Sequence, residues 1–463
     1  MELKKAVLSF KETYGQAMAV TAPLGSVVST TTAAIAYAGS SVVFTTLLSL
    51  ITSALWIYTL SLYTRKIASA GGFYNFNYAA WRSKKFAFLE ALTEAVAYVM
   101  LNAVNVISIY LILSVAFNLL GMSSPVWVLY LGSIIGVIYP TLVSFTHIKK
   151  LLGYIVTVSA TAEAILLISL FLLSLSKGFH INYIVPKIKN IGDLATAFIL
   201  TTVSISGAGA ATYLGEETKD PHKNVTKGMW LALIIGGTAM FFGTYAIIAL
   251  WSGTLSNLPN VSQPLFVEMI QYGSIPFAIA LILSINSLLA SNIGTTVGAA
   301  RILYNLAREK AAPKIFTKVN KQGEPILTTL IAGISTAIIV ILSVQFLGIT
   351  AAFSEVAAVE GVLWILGRIF DGFGAPLFCW RINGLKLRYI IIPIVATLIN
   401  GWGDFESILS MDYVQIAMLS IFAILVISWY ILKASKGYPG SLIVDENNEL
   451  ITIEEYLRKV ISR

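Results

Sequence analysis

The chain alternates between long apolar runs and short polar segments. Twelve apolar runs stand out, at residues 14–37, 42–64, 87–120, 125–146, 150–175, 194–214, 228–252, 271–307, 326–347, 350–372, 389–402 and 413–433. The hydrocarbon core of a bilayer is about 30 Å thick, and an α-helix needs roughly 20 apolar residues to cross it. The pattern therefore predicts an all-α integral membrane protein with about twelve transmembrane helices, of which the eleventh is the shortest.

Composition supports this fold class. Of 463 residues, 57% are hydrophobic and 12% are charged, and the mean hydropathy is +0.81. Soluble domains carry about 25% charged residues, so this composition excludes an ordinary soluble protein. We expect a multi-pass protein of the cell membrane that is embedded in lipid.

The distribution of basic residues indicates the orientation. If both termini face the cytoplasm, every Lys and Arg except Lys177, Lys187 and Lys189 falls in a segment that is assigned to the cytoplasmic side. Cytoplasmic loops are enriched in Lys and Arg, so the bias predicts cytoplasmic N- and C-termini. The net charge of +8 then favours contact with anionic lipid headgroups, and we expect no nucleic-acid partner. The charged N-terminal segment predicts no cleaved signal peptide.

The residue types that enzymes use are sparse. Cys379 is the single cysteine, and the three histidines lie far apart in the sequence. No paired acids, nucleophile with a base, or metal-ligand spacing stands out, so we expect no enzyme activity and no cofactor.

Helix-breaking residues interrupt the first apolar run. Pro23, Gly25 and Ser26 lie in its middle, in "APLGSVVS" at 22–29. Proline disrupts a helix, and an unwound stretch in a membrane survives only where it lines a polar cavity. A break here leaves the amides of Gly25, Ser26 and Val27 at the start of a second half-helix, where they form an anion site that suits a carboxylate. The alternative is a kink that serves only packing.

The sixth run contains a corresponding interruption, "SISGAGA" at 204–210. Matching breaks in two halves of a membrane protein indicate a substrate site between inverted repeats of a transporter. We therefore predict a first five-helix repeat at 1–180 and a second, inverted one at 181–385. Two further helices at 386–433 and a cytoplasmic tail at 434–463 complete the predicted organisation.

Several motifs resemble the amino acid–polyamine–organocation (APC) superfamily. They are the first-run break, "SAGGFYNF" at 69–76, "SISGAGAATYLGEETKDPHKNVTKG" at 204–228 and "SNIGTTVGAARILYNLAREKAAPKIFTKVNKQGEP" at 291–325. The resemblance implies an amino acid permease of the sodium-coupled leucine transporter fold, with five-plus-five inverted repeats, broken helices 1 and 6, and alternating access. The resemblance also implies a secondary transporter, which works as a symporter or an antiporter.

The same resemblance implies two sets of substrate-binding residues. In relatives, backbone amides of the first break meet the substrate's carboxylate, and carbonyls of the sixth meet its ammonium. The carboxylate set here is Pro23, Leu24, Gly25, Ser26 and Val27. The ammonium set is Ser204, Ile205, Ser206 and Gly207.

The chain departs from its relatives after the sixth break. Many relatives place a bulky aromatic gate there, whereas Tyr213 is the nearest aromatic residue here. Either the pocket is roomier, or Tyr213 or a neighbouring helix closes it. The substrate is expected to be an amino acid, and the alternatives are a polyamine or other organic cation, or obligate amino acid exchange. We expect a monomer or a weak homodimer.

Polar residues inside other runs are candidates for the pocket and for ion coupling. Asn102 lies on the same face of the third run as Glu94 and Tyr98, and that face must meet protein or water. Thr295 and Thr296 resemble the hydroxyl pair that binds Na⁺ in sodium-coupled relatives, while structural packing is the alternative. Glu163, the single acidic residue of the fifth run, is a candidate for proton or cation coupling, or for structural pairing. The coupling ion is therefore expected to be H⁺ or Na⁺.

Overall fold

The computed structural model describes residues 3–146, 151–187, 189–445, 447 and 449–461. These residues are almost entirely helical. The α-helices are α1 (Phe10–Thr21), α2 (Pro23–Val28), α3 (Thr30–Ala38), α4 (Val42–Thr64), α5 (Phe73–Trp81), α6 (Lys84–Leu119), α7 (Val126–Val143), α8 (Thr157–Ser174), α9 (Ile191–Ser206), α10 (Pro221–Ala232), α11 (Thr238–Leu250), α12 (Pro264–Met269), α13 (Ser274–Arg308), α14 (Ile326–Leu347), α15 (Ile349–Arg381), α16 (Arg388–Leu409), α17 (Tyr413–Leu432) and α18 (Ile453–Ile461).

Shorter elements join or extend these helices. A 3₁₀ helix, Gly207–Leu214, follows α9, and π-helical turns precede α8 (Leu151–Val156) and α11 (Leu233–Gly237). Short 3₁₀ segments lie at Gly39–Ser41, Leu175–Lys177, Ile181–Tyr183, Leu258–Asn260, Ile270–Tyr272, Lys314–Thr317 and Ala434–Lys436.

Helical structure lies in each of the predicted apolar intervals, within the part of the chain that the structure describes. Ten helical segments there are long and apolar enough to cross a membrane. One of the ten, Thr30–Thr64, joins α3 and α4 across a turn at Gly39. The multi-helix membrane fold is thus confirmed, whereas the count of twelve spans and the inverted repeat stay predictions. The predicted domain boundaries also remain predictions.

Two predicted intervals were too short. α15 continues to Arg381, and α16 covers Arg388–Leu409. The charge analysis placed Arg368 in a cytoplasmic loop, but this residue lies inside α15 and is buried. The predicted interval ended at 372, just after Arg368 and Asp371, and the charge analysis counted Arg368 with the loop that follows. Protein, rather than water, surrounds both side chains.

The first predicted helix is divided at two points. α1 ends at Ala22, whose φ of 39° and ψ of 70° are left-handed. Pro23 begins α2, where its missing N–H costs nothing because first-turn amides have no partner inside the helix. A second interruption at Ser29, with φ −113° and ψ −94°, separates α2 from α3. The break therefore comes just before the proline, three residues earlier than Gly25.

The sixth predicted helix also changes character at its middle. α9 ends at Ser206, and the chain continues as the 3₁₀ helix Gly207–Leu214. A Cβ on Gly207 would lie 2.6 Å from the carbonyl carbon and oxygen of Val20, at the end of α1. Only glycine allows this approach, so the two breaks lie directly against each other in the buried core.

Several helices present apolar side chains outward. Trp127 of α7, Ile341 of α14 and Ile424 of α17 are each more than 60% exposed. A surface of this kind is typical of a face that meets lipid. The polar residues discussed below are, in contrast, buried within the bundle.

The C-terminal segment folds back onto the loops at one end of the bundle. β1 (Leu442–Val444) pairs antiparallel with β2 (Leu450–Thr452), with Ile443 opposite Ile451, and α18 follows. The Val444 N–H donates to the Ala68 carbonyl at 2.7 Å. This small hairpin corrects the expectation of a purely helical chain, because two three-residue strands are too short to show in the hydropathy pattern.

Candidate functional site

The start of α2 contacts a buried carboxylate. The Leu24 N–H donates to Glu163 Oε2 at 3.4 Å, and the Ser287 hydroxyl donates to the same oxygen at 2.6 Å. The Gly25 N–H donates to Ser287 Oγ at 2.8 Å. These residues come from α2, α8 and α13, and all are buried. We call the group of Leu24, Gly25, Glu163 and Ser287 the amide site.

The amide site differs in register from the predicted carboxylate set. The amides of Leu24 and Gly25 face side chains, whereas the Ser26 N–H closes the first turn of α2 on the Ala22 carbonyl at 2.7 Å. The Ser26 hydroxyl donates to the Thr21 carbonyl at 2.8 Å. Pro23 and Val27 are buried in the same short helix. The outward-directed amides begin at Leu24, because the chain breaks at Ala22.

The predicted ammonium set surrounds the second break. Ser204 Oγ lies 2.5 Å from Thr30 Oγ1, which ties α9 to α3. Ser206 Oγ accepts hydrogen bonds from Trp364 Nε1 at 2.8 Å and from Arg368 Nη1 at 2.6 Å. Ile205 and Gly207 are fully packed in the core. This set therefore joins α9 to both α3 and α15.

Tyr213 lies deep in the bundle beside other aromatic rings. Its ring centroid is 5.4 Å from Phe73 and 5.6 Å from Tyr98, and Tyr98 is in turn 5.3 Å from Trp364. The Tyr213 and Tyr98 hydroxyls have no hydrogen-bond partner among the described residues. An aromatic wall with two unpaired hydroxyls thus lies next to the second break.

The residues predicted for ion coupling fall into two separate groups. Glu163 is in the amide site, whereas Thr295 and Thr296 bond to Asn102. The Asn102 amide donates to Thr296 Oγ1 at 3.1 Å, and the Thr295 hydroxyl donates to the Asn102 side-chain carbonyl. Ser287, two helical turns away from Thr295 on α13, is the hydroxyl that contacts Glu163. The spacing of hydroxyl residues in the sequence identified this face of α13, but not which hydroxyl along the face contacts Glu163.

Arg368 was missed as a site residue. Its nearest carboxylate is Glu94, with Nη2 3.5 Å from Oε1, and its guanidinium lies 4.3 Å from the centre of the Trp364 ring. A usable signal was present, because Glu360, Trp364 and Arg368 follow one another at four-residue intervals and so share a helix face.

A network of ion pairs links α13 to the segment that follows the second break. Arg301 binds Glu217 with two hydrogen bonds of 2.6 and 2.9 Å, and Glu324 with one of 3.0 Å. Arg308 binds Glu216 at 2.6 and 2.9 Å. Burial raises the pKa of Glu324 to about 7, even though the neighbouring Arg301 charge lowers it. We call these five residues the ion network.

Glu309 anchors the C-terminal segment beside this network. Its carboxylate accepts hydrogen bonds from the Gly440 N–H at 2.8 Å, the Leu442 N–H at 3.0 Å and the Tyr74 hydroxyl at 3.0 Å. Burial raises its pKa to about 7, while the two backbone hydrogen bonds lower it. The segment therefore packs directly against α5, which carries Tyr74, and the end of α13.

The opposite end of the bundle also contains a cavity. A cavity of about 280 Å³ there is lined by polar and apolar side chains, including Tyr37, Lys187, Asn190 and Asp193. Under the predicted orientation this cavity faces outward, while the ion network and the C-terminal segment cover the cytoplasmic end. Among the described residues, no group of three His, Cys, Asp or Glu side chains could hold a metal ion.

Comparison with known proteins gives a consistent family assignment. The amino acid permease family matches residues 16–443. An uncharacterised amino-acid permease of Schizosaccharomyces pombe is 26% identical over 287 residues, which are 54% of this chain and 51% of that protein. The low-affinity putrescine importer PlaP of Escherichia coli is 31% identical over 126 residues, 27% of each chain. The gamma-aminobutyric acid permease of Escherichia coli is 25% identical over 148 residues, 30% of each chain. The chain thus spans about half, or less, of the length of these curated relatives.

A solved structure shares the fold. The crystal structure of a mutant manganese transporter from Eremococcus coleocola aligns with 100% of this chain and 99% of its own, with a TM-score of 0.54 and 13% identity. At this identity the likeness shows the fold alone. With the family match over nearly the whole chain, the chain belongs to the amino acid permease family of the APC superfamily, and its long apolar helices are those of a multi-pass membrane protein.

Proposed function

We propose that the protein is a secondary active transporter that moves amino acids across the cell membrane by alternating access, in symport with protons. The observation that carries this proposal is the amide site. A carboxylate from α8 accepts a hydrogen bond from the first amide of a half-helix that begins in the middle of the bundle. The family match supports transport, and the amide site supports the choice of a proton as the coupling ion.

The amide site links a proton to a substrate carboxylate. Amides at a helix N-terminus attract an anion, and here the Glu163 carboxylate is that anion. A substrate carboxylate has to compete with it for Leu24 and for the Ser287 hydroxyl. Protonation of Glu163 removes its charge and weakens its hold on both donors. The protonated transporter therefore binds the substrate carboxylate better, so substrate and proton load together.

The second break supplies the opposite polarity for the substrate's ammonium. Ser204 and Ser206 lie where α9 ends, and carbonyls at a helix C-terminus attract a cation. Gly207 lies against Val20 and Thr21 at the C-terminal end of α1, two residues before α2 begins at Pro23, so the C-terminus of α9 lies close to the N-terminus of α2. A zwitterion carries the two charges that such a pair of termini binds.

Protons are favoured over Na⁺ by the second group of polar residues. Thr295 and Thr296 bond to Asn102, so their hydroxyls are already engaged in joining α13 to α6. A bound Na⁺ would need several oxygens directed at one point. Glu163, in contrast, is a buried carboxylate that can take up a proton, and it contacts the first break.

A diamine is the second candidate substrate. The similarity to a putrescine importer covers 27% of this chain, and the Glu360 carboxylate, which has no hydrogen-bond partner among the described residues, lies on the helix that contacts the second break. A diamine has no carboxylate and does not need the amides of Leu24 and Gly25. The protein acts as a monomer or a weak homodimer in this proposal, with both termini in the cytoplasm.

The proposal is tested by uptake into proteoliposomes. A panel of labelled amino acids is offered with an inward proton gradient and, separately, with an inward Na⁺ gradient. We expect accumulation of at least one amino acid under the proton gradient alone, and its loss in Glu163→Gln. Accumulation that requires Na⁺ and is lost in Thr295→Ala would instead support the sodium site. Uptake of putrescine without uptake of any amino acid would favour the diamine.

A further inference from the structure

A charged stripe on α15 faces the interior next to the second break. Glu360, Trp364 and Arg368 repeat at four-residue intervals, about 6 Å apart along the axis, and all are buried. α15 packs against α6, where Glu94 and Tyr98 form a matching face. The Tyr98 and Trp364 rings meet at 5.3 Å between the charged levels. We call these five residues the charged cluster.

One end of the charged cluster is attached to the second break. Arg368 Nη1 and Trp364 Nε1 both donate to the Ser206 hydroxyl, at 2.6 and 2.8 Å. Arg368 also forms the 3.5 Å ion pair with Glu94. Arg368 therefore contacts the break through one of its nitrogens, and the carboxylate nearest to its charge is Glu94.

The other end of the charged cluster has no balancing charge. Glu360 is 0% exposed, and neither of its carboxylate oxygens has a hydrogen-bond partner among the described residues. The charges within its electrostatic reach are Arg368, which Glu94 already balances, and Glu94 itself. Burying a carboxylate without a hydrogen-bond donor or a balancing charge is unfavourable. A group of this kind needs a cation or a proton.

The surroundings of Glu360 suit an ammonium. Trp364 lies one turn along the same face of α15 and packs against the Tyr98 ring, and ring faces attract cations. An ammonium has three donors and no acceptor, which matches a site made of acceptors and rings.

We propose that Glu360 binds a second, distal ammonium of the transported amino acid. The inference rests on the proposed function, in which the α-amino group lies at the second break. Glu360 is one helical turn, about 6 Å, along α15 from Trp364, which donates to Ser206 at that break, so the separation matches an amino acid with an aliphatic side chain of several carbons that ends in an amine. The substrate class is thus the basic amino acids.

Lysine and norleucine test this inference because norleucine keeps the straight aliphatic side chain but lacks the terminal ammonium. Binding of each to the purified full-length protein in detergent is measured by calorimetry, and uptake is measured in proteoliposomes. We expect lysine to bind at least about tenfold more tightly than norleucine, in line with one charge-assisted contact. Equal affinities would overturn the inference.

The variant Glu360→Gln localises the effect. It is expected to lower lysine affinity about ten- to a hundredfold and to leave norleucine affinity unchanged. The matched control is Glu355→Gln on the same helix, where a half-buried carboxylate accepts a hydrogen bond from Gln415 at 2.6 Å and does not belong to the charged cluster. Norleucine binding in Glu360→Gln also shows that the variant is folded.

The outcomes separate the inference from the proposed function. Lysine binding that depends on Glu360, without any gradient-driven uptake, would overturn the transport proposal and keep the subsite. A Glu360→Gln variant that loses proton-driven uptake of both amino acids equally, with unchanged lysine affinity, would assign Glu360 to proton transfer and overturn the subsite. Putrescine binding with the affinity of lysine would show that the subsite takes an ammonium without requiring the carboxylate.

Discussion

Removing the Arg301 charge is expected to destabilise the folded protein strongly. The Arg301 side chain is 1% exposed and lies between two carboxylates that are themselves 5% and 9% exposed. In Arg301→Met, Glu217 and Glu324 would be left buried with like charge and no cation. Breaking a buried pair by removing one partner costs about 3–5 kcal/mol, because the remaining charge stays desolvated.

The lysine variant separates charge from geometry. Arg301 holds Glu217 through Nε and Nη2 at 2.6 and 2.9 Å, a two-pronged contact that a lysine ammonium cannot reproduce. Arg301→Lys keeps the charge and loses one hydrogen bond to a charged group, so it should cost about 1.5–3 kcal/mol. The free energy of unfolding should therefore decrease from wild type to Arg301→Lys to Arg301→Met.

The destabilisation caused by Arg301→Met should depend on pH. The pKa of Glu324 is raised to about 7 in the folded protein, above the ordinary value of 4.5, and the Arg301 charge lowers it. A carboxyl with a raised folded pKa loses its contribution to stability as pH rises from about 4.5 through the folded pKa. Without Arg301 that pKa rises further, so the loss continues above pH 7. Arg301→Met should thus be least destabilised near pH 5.5 and most destabilised near pH 8.5.

Unfolding midpoints in detergent measure this prediction. Wild type, Arg301→Lys and Arg301→Met are compared at pH 5.5 and 8.5 at one protein concentration. Equal midpoints for all three proteins, or a methionine variant that is more damaged at pH 5.5 than at pH 8.5, would refute the role of a buried charge. The expected result would show that the ion network stabilises the fold through its buried charge.

Two further variants test the helix breaks. Gly207→Ala places a Cβ 2.6 Å from the α1 backbone, so uptake should fall at least about tenfold. The control Gly401→Ala, whose nearest neighbouring atom is 3.9 Å from the new Cβ, should transport normally. Normal uptake by Gly207→Ala would contradict the close approach of the two breaks. Ser287→Ala removes the hydroxyl between α2 and Glu163, so the pH dependence of uptake should shift. The control Ser284→Ala, one helical turn away, should leave the pH dependence unchanged. Identical pH profiles in the two variants would exclude a role for Ser287 in coupling.

The positions of the breaks were largely predictable from the sequence. Proline and glycine inside an apolar run indicated a break within one turn of Ala22, because these residues cannot support a regular membrane helix. The free amides began at Leu24 rather than Gly25 because the left-handed conformation fell on Ala22, an alanine that composition does not mark. A sequence pattern indicates the turn at which a helix breaks, but not which residue adopts the non-helical backbone conformation.

The site residues were predictable only where they were unusual. Glu163 is the single acidic residue of its apolar run and was identified, and the structure places it at the first break. Its partner Ser287 is one hydroxyl among several on the same face of α13, and periodicity does not say which level faces α8. Arg368 was missed as a site residue because a charged residue near the end of an apolar run is typical of a loop, whereas α15 continues beyond it.

Tertiary contacts decided the remaining features. The contact between Glu309 and the C-terminal segment joins residues more than a hundred positions apart, and the strands involved are three residues long. Hydropathy does not detect such strands. The pairing of the α6 and α15 faces likewise depends on two helices that are distant in sequence and antiparallel in the predicted topology.

Substrate-driven proton movement tests the central claim most directly. Proteoliposomes that contain a pH-sensitive dye receive a transported amino acid without any imposed gradient, and internal pH and substrate uptake are recorded together. The account predicts internal acidification with wild type, none with Glu163→Gln, and retained exchange of labelled for unlabelled substrate in that variant. Acidification that persists in Glu163→Gln, or wild-type uptake that moves no protons and requires Na⁺, would contradict the account.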